Sequence, residues 1–232
     1  MTPGGAMSQE QVAVTAAEPA TDGRRARGDR SRRAVLDRAV QVASVQGLDG
    51  LTFGSLAQAA PVNKSGIAGL FGSKEGLQVA AVARAREVFR QAVVLPARDG
   101  DPGLPMLWRT VLAWCAYSAD RVFEGGCFFR TAGAELDARA PGPVRDAVVT
   151  ALRDWDAYLA RLVRDAVARG ELGDGTDVDQ LVFVIDGALD RADLASLLLD
   201  DAAAYDRARA AVRAVLLAAG ASQGLLREPG AS

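Results

Sequence analysis

The segment 51–77 constrains the fold of this chain more than any other, because capping and helix-breaking residues alternate along it at short intervals. Thr52 is a good N-cap, so a helix is expected over 53–59. Pro61 removes a backbone donor and keeps the residue before it out of the helical region, so the chain must turn there. The segment therefore predicts short helices joined by tight turns.

A second cap follows this turn. Asn63 is expected to cap a short helix over 64–71, and Ser73 is expected to cap a longer one after Gly72. Two short helices joined by a tight turn form a helix-turn-helix, whose second helix fits the major groove of DNA. A preceding helix with apolar residues at helical spacing, over 31–47, completes a three-helix head.

The distribution of charge favours DNA as a partner. The 232-residue chain has a formal net charge of −2, yet residues 24–86 contain eleven Lys/Arg and four Asp/Glu, and the remainder is acidic. Phosphate neutralisation by one end of the chain would explain this division. The two lysines of the chain, Lys64 and Lys74, both stand at predicted helix starts, where a docked helix meets the DNA backbone.

These residues resemble the DNA-binding segment of the tetracycline-repressor (TetR) family. That segment has a Ser-Lys-Ser-Gly-like opening followed by Phe-x-Ser-Lys-Glu-x-Leu. Here the corresponding runs are Asn63-Lys64-Ser65-Gly66-Ile67 and Phe71-Gly72-Ser73-Lys74-Glu75-Gly76-Leu77. The sequence departs from the family at Ala68, Gly69 and Leu70, where aromatic residues or histidine are common, and at Pro61, where glycine is usual.

The resemblance implies a DNA-binding surface on the helix-turn-helix. The residues it assigns to this surface are Arg32, Thr52, Asn63, Lys64, Ser65, Ile67, Ala68 and Lys74. The Arg-rich run 24–33 has two interpretations. It is either an arm that reaches phosphates or a minor groove, or a solvated chain terminus.

The rest of the chain is predicted to be helical, because apolar residues recur at helical spacing between glycine and proline breaks. The expected helices span about 73–95, 104–122, 125–136, 144–169, 177–199 and 203–219. No stretch alternates as a strand would, so the predicted fold is all-α. The expected domains are a disordered tail with the Arg-rich arm (1–30), the helix-turn-helix domain (31–76), a helical effector-binding and dimerisation domain (77–220) and a disordered tail (221–232).

The composition argues against catalysis. The chain has no histidine, which removes Ser-His and Cys-His nucleophilic pairs and most zinc sites, and it has no Gly-rich phosphate loop. We therefore expect no enzyme activity, cofactor or metal. Cys115 and Cys127 are either small buried residues or a redox-sensing pair. Neither a signal peptide nor a long apolar span is evident, which predicts a cytoplasmic protein.

Large aromatic side chains are concentrated in the second domain, where the resemblance implies a small-molecule effector. Such residues belong either to the core or to the wall of a pocket. Asp186 interrupts the apolar run 181–185, and its partner is Arg191, an arginine across a dimer interface or a cationic effector. The predicted pocket residues are Trp108, Val111, Trp114, Cys115, Phe128, Phe129, Trp155, Tyr158, Phe183 and Asp186.

The last two predicted helices each have an apolar side, which resembles the dimer seam of the family. The predicted dimer contacts are Val182, Ile185, Leu189, Val212, Val215 and Leu216. The resulting hypothesis is a homodimeric repressor that binds a near-palindromic operator and releases it when an effector binds. Two rivals remain: a DNA-binding protein of the same fold controlled by a partner protein, and an enzyme that has lost DNA binding.

Overall fold

The computed structural model describes residues 20–59 and 63–227, with most side chains described from residue 28 onward. Within these ranges the regular structure is entirely helical, which confirms the predicted all-α fold. The same ranges contain no helix that is both long enough and apolar enough to cross a membrane. They also contain no cluster of side chains suited to hold a metal ion.

The N-terminal head consists of α1 (Ala20–Gly50), α2 (Phe53–Ala59) and α3 (Lys64–Phe71). Ser55 N donates to Thr52 Oγ1 over 3.0 Å, and Gly66 N donates to Asn63 Oδ1 over 2.7 Å. Each bond satisfies an amide that the first turn of a helix leaves without an intrahelical partner. Both helices therefore begin where the sequence predicts, whereas the predicted turn at Pro61 lies outside the described residues.

Helix α1 differs from its prediction at its N-terminal end. It begins at Ala20, so the Arg-rich run 24–33 is helical and is not part of a disordered tail. At the other end Gly47 adopts a left-handed φ of 74°, which breaks the helical geometry where the sequence predicts a stop. Glycine adopts this conformation without the steric penalty that a side chain imposes.

The body contains the remaining helices. They are α4 (Lys74–Phe89), α5 (Leu95–Ala97), α6 (Leu104–Ala119), α7 (Phe128–Leu136), α8 (Pro143–Ala168), α9 (Val178–Leu198) and α10 (Ala204–Ala218). A π-helical turn, Arg90–Val94, joins α4 to α5. Helix α4 contacts both α1 in the head and α8 in the body, and α9 packs along α10. One continuous cluster of buried apolar side chains extends from the head into the body.

The C-terminal segment is more ordered than the sequence predicts. A 3-10 turn, Gln223–Leu225, follows α10, and the next side chain, Leu226, is 1% exposed. Arg213 on α10 donates from Nη1 to the Leu226 carbonyl over 2.5 Å. The predicted disorder is therefore wrong for 221–227, because an apolar side chain anchors this segment in the core. The remainder of the predicted tail lies outside the described residues.

The head touches the body where the loop before α7 passes along α1. A Cβ added to Gly125 would lie 2.0 Å from the Ser44 carbonyl oxygen, which is a backbone atom. Gln41 holds the same loop, donating to the Val122 carbonyl over 2.9 Å and accepting the Glu124 N–H over 2.8 Å. The approach of the two backbones requires glycine at position 125.

Gly125→Ala should lower the free energy of unfolding by about 2 kcal/mol or more, because α1 and the loop must separate to admit a methyl group. Gly133→Ala is the matched control, since its methyl would meet Leu152 Cδ1 at 3.7 Å, an ordinary contact. Alanine there should stabilise α7 by roughly 0.5–1 kcal/mol. Denaturant unfolding measures both changes, and equal stability of the two variants would contradict the close approach.

Candidate functional site

Helix α3 presents its N-terminal turn to solvent. Lys64 and Ser65 are exposed there beside the cap Asn63, and Ala68 is half-buried one turn later. These predicted DNA contacts lie where a nucleic acid can reach them. Ile67 is out of reach of a nucleic acid, because its side chain is 0% exposed and packs in the core of the head. Its assignment to the DNA surface is wrong: the side chain holds α3 in place.

Two of the predicted DNA contacts are engaged within the head. Arg32 donates from Nη1 to the Leu70 carbonyl over 2.6 Å, and its guanidinium lies 4.5 Å from the centre of the Phe71 ring. The Arg32 guanidinium thus provides a hydrogen bond to a carbonyl at the C-terminus of α3. Its positive charge also interacts favourably with the negative end of the helix dipole there. Lys74 donates from Nζ to the Asp49 carbonyl over 2.7 Å. Arg32 thus fixes α3 within the head, and Lys74 fixes the start of α4 against the end of α1.

The body contains a cavity of about 630 Å³ bordered by α4, the π-helical turn and α6 to α9. This volume lies in the range of small-molecule sites, roughly 300–1,000 Å³. The aromatic side chains in its wall are Phe89, Trp114, Phe129, Trp155 and Tyr158. The charged side chains in its wall are Arg86, Glu87, Arg90, Arg130, Asp154, Asp186 and Asp190.

The structure separates the predicted pocket residues into three groups. Those in the cavity wall are Trp114, Phe129, Trp155, Tyr158 and Asp186. Those packed in the core away from the cavity are Trp108, Val111, Cys115 and Phe128. Phe183 belongs to neither group, because α9 turns it outward and leaves 75% of its surface exposed. For these last two groups the prediction is wrong, because helical spacing marks a side chain as apolar without showing which neighbour it faces.

The aromatic wall is built around Phe89. Its ring meets Tyr117, Phe129 and Trp155 edge to face, with centroid distances of 5.3, 6.0 and 5.1 Å. Trp155 in turn stacks on Tyr158 at 5.9 Å with an interplanar angle of 24°. Edge-to-face and offset-stacked contacts are the geometries that aromatic quadrupoles favour, so the rings form a rigid apolar wall.

Sequence reasoning missed the side of the cavity formed by the end of α4. Phe89, Arg90 and Val94 line it, and the last two belong to the π-helical turn. A π turn shifts the side chains that follow it relative to a regular helix, and such turns recur at functional sites. No residue type marks a π turn in the sequence, so the periodicity of 73–95 could not show which of its side chains face inward.

Two basic groups in the wall are already neutralised. Arg86 forms an ion pair with Asp154 across the cavity rim, and Arg130 forms one with Asp193. Asp193 is 0% exposed and also accepts from the Cys127 N–H over 2.9 Å. A carboxylate buried this fully needs such donors, so Asp193 holds Arg130 and the start of α7 in place.

Asp186 and Asp190 differ from these pairs, because neither forms an ion pair with any residue that the structure describes. Trp155 Nε1 donates to Asp186 Oδ1 over 2.8 Å, so the tryptophan takes the place that the sequence left open to Arg191. Burial raises the pKa of Asp186, and the Trp155 hydrogen bond opposes the rise. Burial and then repulsion from Asp186 raise the pKa of Asp190 to about 6, with Arg130 opposing.

Asp190→Asn should raise the melting temperature near pH 7.5 and leave it unchanged near pH 3, below both pKa values. The folded chain holds the Asp190 proton up to a pKa of about 6, against an ordinary value of 3.8. Stability therefore falls as pH rises through this window, and solvent at the exposed Asp190 side chain keeps the fall small. Calorimetry at the two pH values measures the difference. A shift of equal size at both would assign it to packing rather than to titration.

Both cysteines are free and buried. Burial raises the pKa of the Cys115 thiol to about 11 and that of the Cys127 thiol to about 12. Thiols react as thiolates, so both are unreactive near neutral pH. Of the two interpretations that the sequence left open, these environments favour small buried residues over a redox-sensing pair.

A chain of charged contacts leads from the cavity to the head. Glu87 lines the cavity and accepts from Arg84 Nη1 over 2.6 Å, which lowers the pKa of Glu87. Arg84 also donates from Nε to Asp37 Oδ1 on α1 over 2.6 Å. A change in the cavity wall at Glu87 can therefore reach α1 through one shared guanidinium.

Helix α7 forms a second connection. One of its sides carries Phe129 and Arg130 into the cavity wall. Near its C-terminus the Glu135 carboxylate accepts the N–H groups of Leu48 and Asp49, each over 2.6 Å. These amides point at Glu135 because of the kink at Gly47, so two charge-assisted hydrogen bonds hold α7 to the end of α1.

The predicted dimer contacts lie mostly on the inner sides of α9 and α10. Ile185, Leu189, Val212 and Leu216 are each 0% exposed within the single chain, and Val182 is also buried. They hold the two helices to each other and to the body. Their assignment to a subunit interface is wrong, because both helices have apolar residues on more than one side.

A different surface remains uncovered in the described chain, and we call it the outer apolar face. On α9 it consists of Phe183, Gly187, the half-buried Leu194 and Leu198, at intervals of four, seven and four residues with the exposed Asp190 between Gly187 and Leu194. On α10 it consists of Ala210, Ala211, Ala214 and Ala218. Phe183 and Leu198 are 75% and 71% exposed. Large apolar side chains exposed to this extent mark contact surfaces.

Two family models match the chain in the order of its domains. Residues 35–81 match "Bacterial regulatory proteins, tetR family", and residues 103–212 match "Tetracyclin repressor-like, C-terminal domain". The chain is a member of the TetR family of transcriptional regulators. Its α2–α3 unit is the DNA-binding helix-turn-helix of this family, as the sequence predicts. None of the curated protein sequences matches the chain.

Solved structures share this fold. A TetR transcriptional regulator from Chloroflexus aurantiacus J-10-FL has a TM-score of 0.76 and 23% identity, covering 83% of this chain and 96% of its own. A TetR-family regulator from Cytophaga hutchinsonii has a TM-score of 0.74 and 19% identity, covering 85% and 98%. A putative regulator from Saccharomonospora viridis, solved in complex with choline, has a TM-score of 0.65 and 16% identity, covering 82% and 96%.

Proposed function

We propose that the chain is an effector-controlled repressor that binds a near-palindromic operator as a homodimer in the cytoplasm. The observation that carries this proposal is the placement of the cavity. Its walls include α4 and α7, the two helices that hold the head through Arg84 and Glu135. A ligand that favours one arrangement of these helices would shift the position of the head by its differential affinity for the two states.

For DNA contact we propose the exposed N-terminal turn of α3, with Lys64 and Ser65 nearest the DNA. Lys64→Ala should weaken binding and reduce the salt slope by about one unit, because one phosphate contact is lost. Lys74→Ala is the comparison, since Lys74 is bonded to the Asp49 carbonyl and its loss should also loosen the head. Fluorescence anisotropy at several salt concentrations measures the slopes. An unchanged slope for Lys64→Ala would remove it from the interface.

For assembly we propose that the outer apolar face is the subunit interface. The small alanine side chains on α10 would allow close helix approach, and Phe183 and Leu198 would supply buried area. A two-fold dimer would place two copies of α3 in successive major grooves about 34–36 Å apart.

Two observations favour a small-molecule effector over control by a partner protein. The cavity has the volume of a small-molecule site, whereas the partner-controlled rival would be compatible with a filled core. A structure with the same fold has been solved in complex with choline. The enzyme rival is less favoured because the chain has no histidine, which removes Ser-His and Cys-His nucleophilic pairs.

Selection of bound fragments from random duplex DNA by the full-length chain tests the proposal. The expected result is enrichment of an inverted repeat whose half-site centres lie about 10 bp apart, or a multiple of that spacing. Enrichment of a single unrepeated half-site would overturn the dimeric arrangement. No enrichment at low salt would overturn operator binding itself.

A further inference from the structure

We infer that the cavity binds an organic cation, with its charged group against Asp186 and Asp190 and its apolar body among the aromatic rings. This inference rests on the proposed function, namely that the cavity is the effector site. It adds the chemical class of the effector, which neither the fold nor the family models assign.

The first observation is the imbalance of charge in the wall. Arg86 and Arg130 are neutralised by Asp154 and Asp193. Asp186 and Asp190, one turn apart on α9, line the cavity with no ion-pair partner among the described residues. Asp186 is half-buried, and Asp190 lies at the exposed rim. Two acids this close repel each other, and a cation placed between them would relieve that repulsion.

The second observation is the position of the aromatic rings. The hydrogen bond from Trp155 Nε1 holds the indole beside the Asp186 carboxylate at 2.8 Å. Trp155 also meets Phe89 edge to face and stacks on Tyr158. A cation at the carboxylate would therefore lie close to an aromatic cluster, and the faces of such rings attract cations.

The third observation is an apolar region of the cavity wall that suits the uncharged part of the ligand. Trp114 and Phe129 line the same cavity together with Ala151 and Leu152. These side chains offer no hydrogen bond from a charged group, so they suit a hydrocarbon or aromatic body. An anion is less well served, because the Arg86 and Arg130 guanidiniums already bind carboxylates, so Arg90 is the remaining arginine among the described wall residues.

Three probes of similar size test the inference on the full-length chain. Benzyltrimethylammonium carries the charge, neopentylbenzene replaces its nitrogen by carbon, and 4-tert-butylbenzoate carries the opposite charge. Titration calorimetry should show binding of the cation, at least tenfold weaker binding of the neutral probe, and weaker binding still of the anion.

A pair of charge-matched variants locates the binding. Asp186→Asn with Asp190→Asn should weaken binding of benzyltrimethylammonium by at least tenfold and leave that of neopentylbenzene unchanged. Asp165→Asn with Asp179→Asn removes the same charge outside the cavity wall and should change neither affinity. Circular dichroism confirms that both double variants are folded.

Each other result overturns the inference. Equal binding of the cation and the neutral probe would leave an effector site without selectivity for charge. Undiminished cation binding by the Asp186→Asn, Asp190→Asn variant would place the cation elsewhere. If dimerisation fell in this variant and the wild type bound no cation, an arginine of a second subunit would be the partner of the two acids. The DNA selection described above tests the proposed function independently of all three results.

Discussion

Phe183→Glu should convert the proposed dimer into folded monomers and lower operator affinity by at least a hundredfold. Phe183 is 75% exposed in the single chain, so the new carboxylate stays hydrated until a second subunit covers it. Covering an unpaired carboxylate costs several kcal/mol, and a two-fold axis places two copies in the interface. A lone head then loses the gain in effective concentration that the second half-site provides. Sedimentation velocity and anisotropy measure the two effects.

Two controls separate this effect from misfolding. Ile185→Glu, two residues along α9, places the same charge at a position that is 0% exposed, so this variant should unfold rather than dissociate. Val45→Glu changes an apolar side chain that is 60% exposed on α1, away from the outer apolar face, and should remain dimeric. A dimeric Phe183→Glu variant, or a monomeric wild type at micromolar concentration, would contradict the proposed interface.

The ends of the helices could be predicted from the sequence because their causes are local. Thr52, Asn63 and Ser73 each accept an amide three residues later, so the bond depends on a few neighbouring dihedrals and on no distant contact. Gly47 and Gly72 mark stops for the same reason, since both adopt a left-handed φ. The predicted bounds of α2 and α3 therefore agree with those of the structure.

Which side of each helix faces the core could not be predicted in the same way. Around position 184 of α9 apolar side chains point in nearly every direction, inward at Val182 and Ile185 and outward at Phe183. Periodicity reports that a residue avoids water, and both a core and a subunit interface satisfy that condition. Only the packing of α9 against α10 within one chain distinguishes the two.

Some residues of the cavity wall could be predicted from the sequence, and others could not. Its aromatic side was partly predictable, since Trp155 and Tyr158 are large side chains on an amphipathic helix and Asp186 is a charge within an apolar run. Its other side was not, because a π-helical turn sets which residues at the end of α4 face inward. Asp193 was missed for a similar reason: its neighbours in sequence give no sign that the side chain is 0% exposed and bound to Arg130.

Glu135→Ala should uncouple the cavity from the head. Its carboxylate accepts two backbone amides of the head, from Leu48 and Asp49, each over 2.6 Å. Bonds to a charged group contribute roughly 1.5–3 kcal/mol each, and partial exposure reduces the sum to about 2 kcal/mol. Because typical couplings between sites are about 1–3 kcal/mol, losing this connection should reduce by about tenfold the factor by which a bound effector weakens operator binding.

The measurement is operator affinity with and without a compound that the cavity binds, together with hydrogen exchange at the Leu48 and Asp49 amides. Glu135→Ala should accelerate that exchange. Glu135→Gln keeps one acceptor oxygen, so its exchange rates should lie between those of the wild type and of Glu135→Ala. Arg139→Ala is the control, because its ion pair with Asp49 is exposed and should contribute little. Faster exchange with full effector response would leave Glu135 a purely structural role and assign the coupling to Glu87, Arg84 and Asp37.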